Sequence, residues 1–431
     1  MRFISTRGQA AAATLSEAIA AGLAPDGGLY VPEKLPTLSL ADFDGKTSLS
    51  DIAATLLRPF FADDVLAPAL DAICAEAFDF PAPMRDLGDG TFLLELFHGP
   101  TAAFKDFGAR FLAACLTRLR AGAEKPLTII VATSGDTGAA VGGAFHGVPN
   151  LRVVILYPDG RVSPRQAHQL GAFGDNVHAL RVAGSFDDCQ ALVKRALNDA
   201  ELQARVPLSS ANSISLGRLL PQMSYYAKAA LDHFRAHGET LNFAIPTGNL
   251  GNALACILAR HIGLPIGEVL LATNANAVLP AFFDGGDYAP HASIATLANA
   301  MDVGAPSNFE RLRWLVPNDD QLRESFRAIS VSDADIQATI QDVWDRHLFA
   351  ICPHTATAVF ALDSLALDGS WAVAATAHPA KFESIVEPLV GAHIAAPPAL
   401  AELLSRPSHA DPVPADYAAL VAMLEQAPEQ S

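Results

Sequence analysis

From Thr128 onward, short apolar runs alternate with segments whose apolar positions recur every three or four residues. Ile129-Ile130-Val131-Ala132, Val153-Val154-Ile155-Leu156, Phe243-Ala244-Ile245, Val269-Leu270-Leu271 and Val373-Ala374-Ala375 are nearly continuous apolar stretches, the pattern of parallel strands covered on both faces. Phe186, Cys189, Val193 and Leu197 share one helical face, as do Ile336, Ile340, Val343 and Trp344. Strand then helix, repeated, predicts an α/β fold on parallel sheet. The Ala-rich stretch Ala10 to Ala24 predicts a folded N-terminal helix. Residues 1–84 lack the alternation and predict a mainly helical N-terminal domain, with Pro81, Pro83 and the turn Gly88-Asp89-Gly90 marking its seam. The rest divides into a large domain, 85–126 and 205–431, and a smaller mobile lobe, 127–204. Beyond Ala396, the recurring prolines predict a helix and linker wrapped on the surface, with a mobile end.

Composition narrows the function. The chain of 431 residues is 51% hydrophobic and 17% charged, so it buries a large core, and its formal charge of −17 repels nucleic acid and anionic membrane surfaces. Cys74, Cys115, Cys189, Cys256 and Cys352 are widely spaced and odd in number, without zinc-site or disulfide-framework spacing. They predict reduced thiols in a cytoplasmic protein, and no apolar run is long enough to predict a membrane span. The thirteen histidines lack metal-ligand spacing; His98, His354 and His378 read as buried hydrogen-bonded residues or caps. There is no G-x-S-x-G elbow and no H-E-x-x-H motif.

In parallel α/β sheets ligands sit beyond the carboxyl ends of strands, so the informative residues follow the apolar runs. Thr133-Ser134-Gly135-Asp136-Thr137-Gly138 opens a helix, where hydroxyls and N–H groups suit a carboxylate; an ordinary capped turn explains it equally well. Its Asp-Thr-Gly triplet is single and helical, unlike the paired carboxylates of an aspartic protease. Pro246-Thr247-Gly248-Asn249-Leu250-Gly251-Asn252 precedes an apolar helix and suits a phosphate, against the alternative of a turn with no ligand. Thr376, after the last run, fits either a hydrogen bond to a ring nitrogen or a cap on a helix starting near Pro379. Lys105 sits among Phe104, Phe107, Phe111 and Leu112; an apolar face there depresses its pKa and makes a Schiff-base nucleophile, whereas most lysines are solvated.

These segments, in their order along the chain, resemble pyridoxal-phosphate enzymes of fold type II, the tryptophan-synthase β-like fold, and within them the bacterial and fungal threonine synthases. The likeness runs nearly end to end. It includes Ser5-Thr6-Arg7-Gly8, Gly22 to Pro32, Phe104-Lys105-Asp106-Phe107, Thr133 to Gly138, Asn212-Ser213-Ile214-Ser215, Thr247 to Asn252, Ala272-Thr273-Asn274, Asn299-Ala300-Met301-Asp302, Pro353-His354-Thr355-Ala356 and Thr376 to Phe382. The resemblance implies two parallel-sheet lobes and a helical N-terminal domain. It implies Lys105 as the cofactor-bearing catalytic lysine, with Asp136, Gly248, Asn249, Leu250, Gly251, Asn252 and Thr376 also binding pyridoxal 5′-phosphate. Ser134, Thr137, Asn212, Ser213 and Arg218 are the implied substrate contacts, with Lys381 and Arg161 in reserve for the phosphate. A helix beginning near Ser213 is expected to aim its N-terminus at that phosphate. The implied reaction converts O-phospho-L-homoserine and water to L-threonine and phosphate in a monomer or homodimer, without metal. The alternatives are another fold-type-II enzyme, such as a serine/threonine dehydratase, or a non-catalytic ligand sensor of the same fold.

Overall fold

A computed structural model of the chain describes residues 1–426. The strands are β1 (Phe3–Ser5), β2 (Tyr30–Pro32), β3 (Met84–Gly88), β4 (Thr91–Glu95), β5 (Leu127–Ala132), β6 (Leu151–Pro158), β7 (Val177–Ala183), β8 (Leu208–Ser210), β9 (Leu241–Pro246), β10 (Ile266–Thr273), β11 (Arg327–Ser330), β12 (Trp371–Ala375) and β13 (Asp411–Pro414). The first eleven helices are α1 (Leu15–Ala21), α2 (Leu49–Leu57), α3 (Leu70–Ala77), α4 (Lys105–Leu119), α5 (Asp136–Phe145), α6 (Pro164–Gly171), α7 (Phe186–Asn198), α8 (Ala200–Arg205), α9 (Leu216–Leu219), α10 (Met223–His237) and α11 (Gly251–His261).

Two sheets organise the chain. The larger has the order β11-β10-β9-β12-β4-β3 and is parallel except for its edge strand β3, which pairs antiparallel with β4. The smaller, β13-β7-β6-β5-β8, is wholly parallel. Every residue of β5 and β12 is buried, the double-sided cover expected of their apolar runs. α7 begins in a capping box between Ser185 and Asp188 and buries Cys189, Leu192, Val193 and Ala196 on one face.

The chain departs from its sequence-based divisions in five places. The Ala-rich stretch forms a helix only from Leu15, where Thr14 and Glu17 make a capping box; Ala13 is instead bridged to Phe3. The turn at Gly88-Asp89-Gly90 is the tip of the β3–β4 hairpin inside the large sheet, not a seam between domains. Residues 1–84 do not enclose a separate core: the Phe111 ring of α4 lies 6.1 Å from Phe61 and 6.0 Å from Phe78, within one continuous apolar cluster. Finally, β8 lies beyond the expected lobe boundary at 204 yet joins the small sheet, and the tail beyond Ala396, which begins with the expected surface helix Pro398–Ser405, continues not in a linker but in β13, which pairs with β7 along its edge. Pro412 and Pro414 are compatible with that position, since an edge strand has one unpaired side. The mobile end expected at the last few residues lies outside the described residues.

The C-terminal helix Tyr417–Glu425 completes the small lobe by burying Leu420 and Leu424 in the cluster that contains Leu180, Leu192 and Val193. Leu420→Ala should therefore lower stability by ~2–5 kcal/mol in denaturant unfolding, the cost of a core cavity. A helix merely resting on the surface would lose under ~0.5 kcal/mol.

Candidate active site

The carboxyl ends of both sheets open onto one cleft of about 410 Å³. Ser134, Asp136 and Thr137 line it from the β5–α5 turn, Thr247 to Asn252 from the β9–α11 turn, and Thr376 from the end of β12. Lys105, the first residue of α4, projects into the same space. Burial brings its amine down to about 8, opposed by the nearby Asp136 carboxylate and reinforced by Arg218 and Lys381. Its position in the first turn of a helix acts in the same direction, since the positive dipole end disfavours a cation. The aromatic surround differs from expectation: Lys105 Nζ lies 5.8 Å from the Phe104 centroid, but Phe107 and Phe111 face the opposite way, packed on Phe78. Positions two and six residues along a helix project to other faces, so the depression comes from enclosure and neighbouring charge.

Asp136 stands at the start of α5, where Gly135 adopts φ 126° and a Cβ would lie 2.5 Å from Gln166 Nε2. Its Oδ1 receives Lys381 Nζ at 2.7 Å and Gln166 Nε2 at 3.1 Å. Only Oδ2 remains for a ligand. Burial pushes this carboxyl up, but Lys381, Lys105 and His354 outweigh it and hold the group well below the usual carboxylate range. Lys381 also donates to Thr101 O at 2.8 Å and is absent from the cleft lining, as is Arg161, so neither reserve residue faces the cleft. The turn is organised by Thr133, whose hydroxyl accepts the N–H groups of Gly135 and Gly138 at 3.0 and 2.9 Å. Ser134 and Thr137 are thereby left to face the cleft.

At the β9–α11 turn Leu250 takes a left-handed conformation, φ 62°, and α11 follows at once. Among the described residues, none of the N–H groups of Gly248, Asn249, Leu250, Gly251 and Asn252 donates to a protein acceptor. Gly248 admits no side chain, because a Cβ would lie 2.7 Å from Met301 Cα. Asn249 Nδ2 donates to Ser213 Oγ at 2.6 Å, and Asn252 Oδ1 accepts from Tyr226 Oη at 3.0 Å and from Tyr225 Oη. Asn252 Nδ2 is buried without a partner.

The segment Asn212–Ser215 differs from expectation. The helix expected near Ser213 starts three residues later: Ser215 N–H closes a turn onto Asn212 O at 3.1 Å, and α9 begins at Leu216 with Ser215 as its N-cap. Arg218 lines the cleft, but its Nη1 donates to Ala211 O at 2.6 Å and its Nε is buried unpartnered. Thr376 Oγ1 is free of the capping role considered for it, because His378 Nδ1 accepts the Ala380 N–H and caps the turn at Pro379 instead.

The family model described as "Threonine synthase N terminus" matches residues 2–78, that for "Pyridoxal-phosphate dependent enzyme" residues 79–376, and that for "Threonine synthase, C-terminal" residues 355–424. The threonine synthase of Escherichia coli (strain K12) is 40% identical over 94% of this chain and 95% of its own length. A crystal structure of threonine synthase from Escherichia coli superposes with a TM-score of 0.92 over 98% of this chain and 99% of that chain, at 38% identity. A PLP-bound threonine synthase from Brucella melitensis gives 0.90, covering 99% of both chains at 35% identity. The chain belongs to the threonine synthase family.

Pyridoxal phosphate, the cofactor of this family of fold-type-II enzymes, suits the residues present. Free N–H groups at the head of α11 and the orphaned Asn252 amide match a phosphate, a depressed lysine amine matches an aldehyde, and the Thr376 hydroxyl is available to a ring nitrogen. Gln166 and Asn308, not expected at the site, help to shape it, and His354 is the buried hydrogen-bonded residue expected of it. Gln166 was legible in the Ser163-x-x-Gln166 capping box that starts α6. His354 Nε2 accepts the Ala300 N–H at 3.1 Å, and burial holds its ring near 4, hence neutral at physiological pH. Asp302, also on the cleft wall, is pushed up to about 7 by burial. Asn308 reaches the site only through tertiary contacts.

In protein freed of cofactor, an amine-directed acylating reagent should label Lys105 at a rate that rises through about pH 8 and then levels off. Exposed lysines should keep gaining reactivity toward pH ~10; peptide mapping across this range checks the order. Lys381→Met should cost ~3–5 kcal/mol by stranding a buried carboxylate, and adding Asp136→Asn should recover most of it. Because the folded Asp136 is depressed, the stability it contributes is complete above pH ~4 and lost on acidification, so the double variant should show a shallower acid limb in urea unfolding.

Proposed function

We propose that this chain converts O-phospho-L-homoserine and water to L-threonine and phosphate. The observation that carries the reading is the bond from Asn249 to Ser213, which joins two polar cradles side by side in the cleft that holds Lys105. One cradle, Gly248 to Asn252, serves the cofactor phosphate; the other, Asn212 and Ser213 with Arg218 beside them, serves the substrate phosphate. A dehydratase, eliminating from Cβ, has no use for the second. The threonine synthase models at both ends of the chain favour the same choice.

Bound pyridoxal phosphate supplies an electron sink that acidifies the carbon next to the substrate amine. Ser134, Thr137 and the N–H groups heading α5 hold the substrate carboxylate, fixing the α-carbon beside Lys105. Lys105 Nζ, with its pKa near 8, takes the α-proton at neutral pH and returns it later, a range suited to both directions. Thr376 Oγ1 offers the ring nitrogen a neutral hydrogen bond, without the carboxylate that would keep a proton there. Asn212, Ser213 and Arg218 stabilise the charge that develops on the departing phosphate. The small lobe closes over the cleft to exclude water until the β-addition, with Ser163 Oγ on Lys381 O at 2.8 Å and Arg165 Nη1 on Ala380 O at 2.7 Å joining α6 to the segment after β12. The five cysteines are all buried and free, in keeping with the reducing cytoplasm, and no helix among the described residues is long and apolar enough to cross a membrane.

Purified protein supplied with O-phospho-L-homoserine should release phosphate and threonine in equal amounts. Arg218→Ala should lower kcat/KM by the equivalent of ~1.5–3 kcal/mol, the loss of a charged hydrogen bond, with the cofactor absorbance unchanged. Lys105→Ala should abolish turnover, and borohydride reduction of the wild type should place the pyridoxyl mass on Lys105. A label on Lys228 or Lys381, or phosphate release without threonine, would overturn the assignment.

A further inference from the structure

Arg311 lies on the short helix Phe309–Leu315, behind the cleft wall, and is 2% exposed. It is absent from the cleft lining. Its acceptors are all neutral oxygens: Tyr30 O at 3.0 Å from Nε, Asn308 Oδ1 at 2.8 Å from Nη1 and Ile214 O at 2.7 Å from Nη2. Burial lowers it only to about 9, so it is a cation at neutral pH. Glu310, itself paired with Arg7, eases that charge without forming an ion pair to it; a buried cation with no carboxylate in contact is expensive, and structures retain one where further charge offsets it.

Its contacts show where that charge belongs. Arg218 holds Ala211 O and Arg311 holds Ile214 O, so two buried guanidinium groups grip the two ends of the turn that carries Asn212 and Ser213. Asn308, held by Arg311, passes the grip on: its Nδ2 donates to Asn249 O at 3.0 Å and to Ser213 O at 3.4 Å. One guanidinium thus sets the spacing of both cradles without touching either ligand. Asn212 Oδ1 and Arg218 Nε, both buried and unpartnered, lie on this same turn and its flank.

Building on the assignment of the Asn212–Ser213 turn to the substrate phosphate, we propose that Arg311 is a positioning residue for phosphate recognition. It locks that turn against the Asn249 loop and places behind them a positive charge that a phosphate dianion in the cleft offsets. A purely structural staple between Tyr30 and the large lobe would affect folding alone.

The test uses the holoenzyme, with inorganic phosphate as the probe in calorimetry and O-phospho-L-homoserine as the substrate. Arg311→Lys keeps the charge but not the three-way fork; it should weaken phosphate binding about tenfold and raise KM by a similar factor, while kcat falls by a smaller one. Arg311→Met should weaken phosphate binding further. Asn308→Ser cuts the link to Asn249 and should itself weaken phosphate binding and raise KM, so it carries the test if neither Arg311 variant folds. Folded variants with wild-type phosphate affinity and KM, or with losses confined to melting temperature and kcat, would overturn the proposal. Calorimetry requires no turnover, so it separates this outcome from a wild type that fails to act on O-phospho-L-homoserine.

Discussion

The ion pair between Lys381 and Asp136 is almost wholly withdrawn from water, and the approach of the surrounding segments depends on it. Neither charge is tolerable alone in such a place, so the segments that carry them are held together. Lys381, in the turn after β12, also holds Thr101 O, while the Thr101 N–H donates to Asp106 Oδ2 at 2.8 Å. Asp106 follows Lys105 directly, and the ion pair therefore orients the first turn of α4 and with it the reactive amine. On its other side Asp136 takes the Gln166 amide, which brings in α6 of the small lobe.

The second constraint is electrostatic. On the proposed function, a chain with a formal charge of −17 binds two phosphates and a carboxylate in one cleft. It does so with few exposed cations at the site. Helix N-termini supply aligned N–H groups that carry no net charge, and the two arginines beside the Asn212–Ser213 turn lie buried, where the surrounding low dielectric strengthens their field and the acidic exterior screens it little. Lys105 benefits from the same arrangement. Nearby positive charge and enclosure both favour its neutral form, the form a nucleophile or base requires.

Long-range partners account for most of what the sequence does not reveal. Residues such as Lys381 and Arg311 act across hundreds of positions along the chain, on Thr101 O and Tyr30 O, and no local pattern records such a partner. Arg218 illustrates the intermediate case. Its nearness in sequence to Asn212 points to a shared site, and both line the cleft, yet a turn precedes the helix that carries Arg218 and the guanidinium folds back on Ala211. The tail was misjudged because prolines signal exposed linkers in isolation, while an edge strand accepts them equally well.

The alternation of buried strands and amphipathic helices, the turns at their carboxyl ends and the lysine at the head of α4 are all written in local sequence. Each of these is a local matter of periodicity, capping or steric allowance, settled within a few residues. The family resemblance added the order of those pieces and hence the cofactor. The tertiary structure alone decided which helices share a core, that β13 closes the small sheet, and which charges meet. Burial made the difference: a hydrogen bond or ion pair that is optional in water becomes obligatory once both partners lose their solvent, and only folding determines which partners those are.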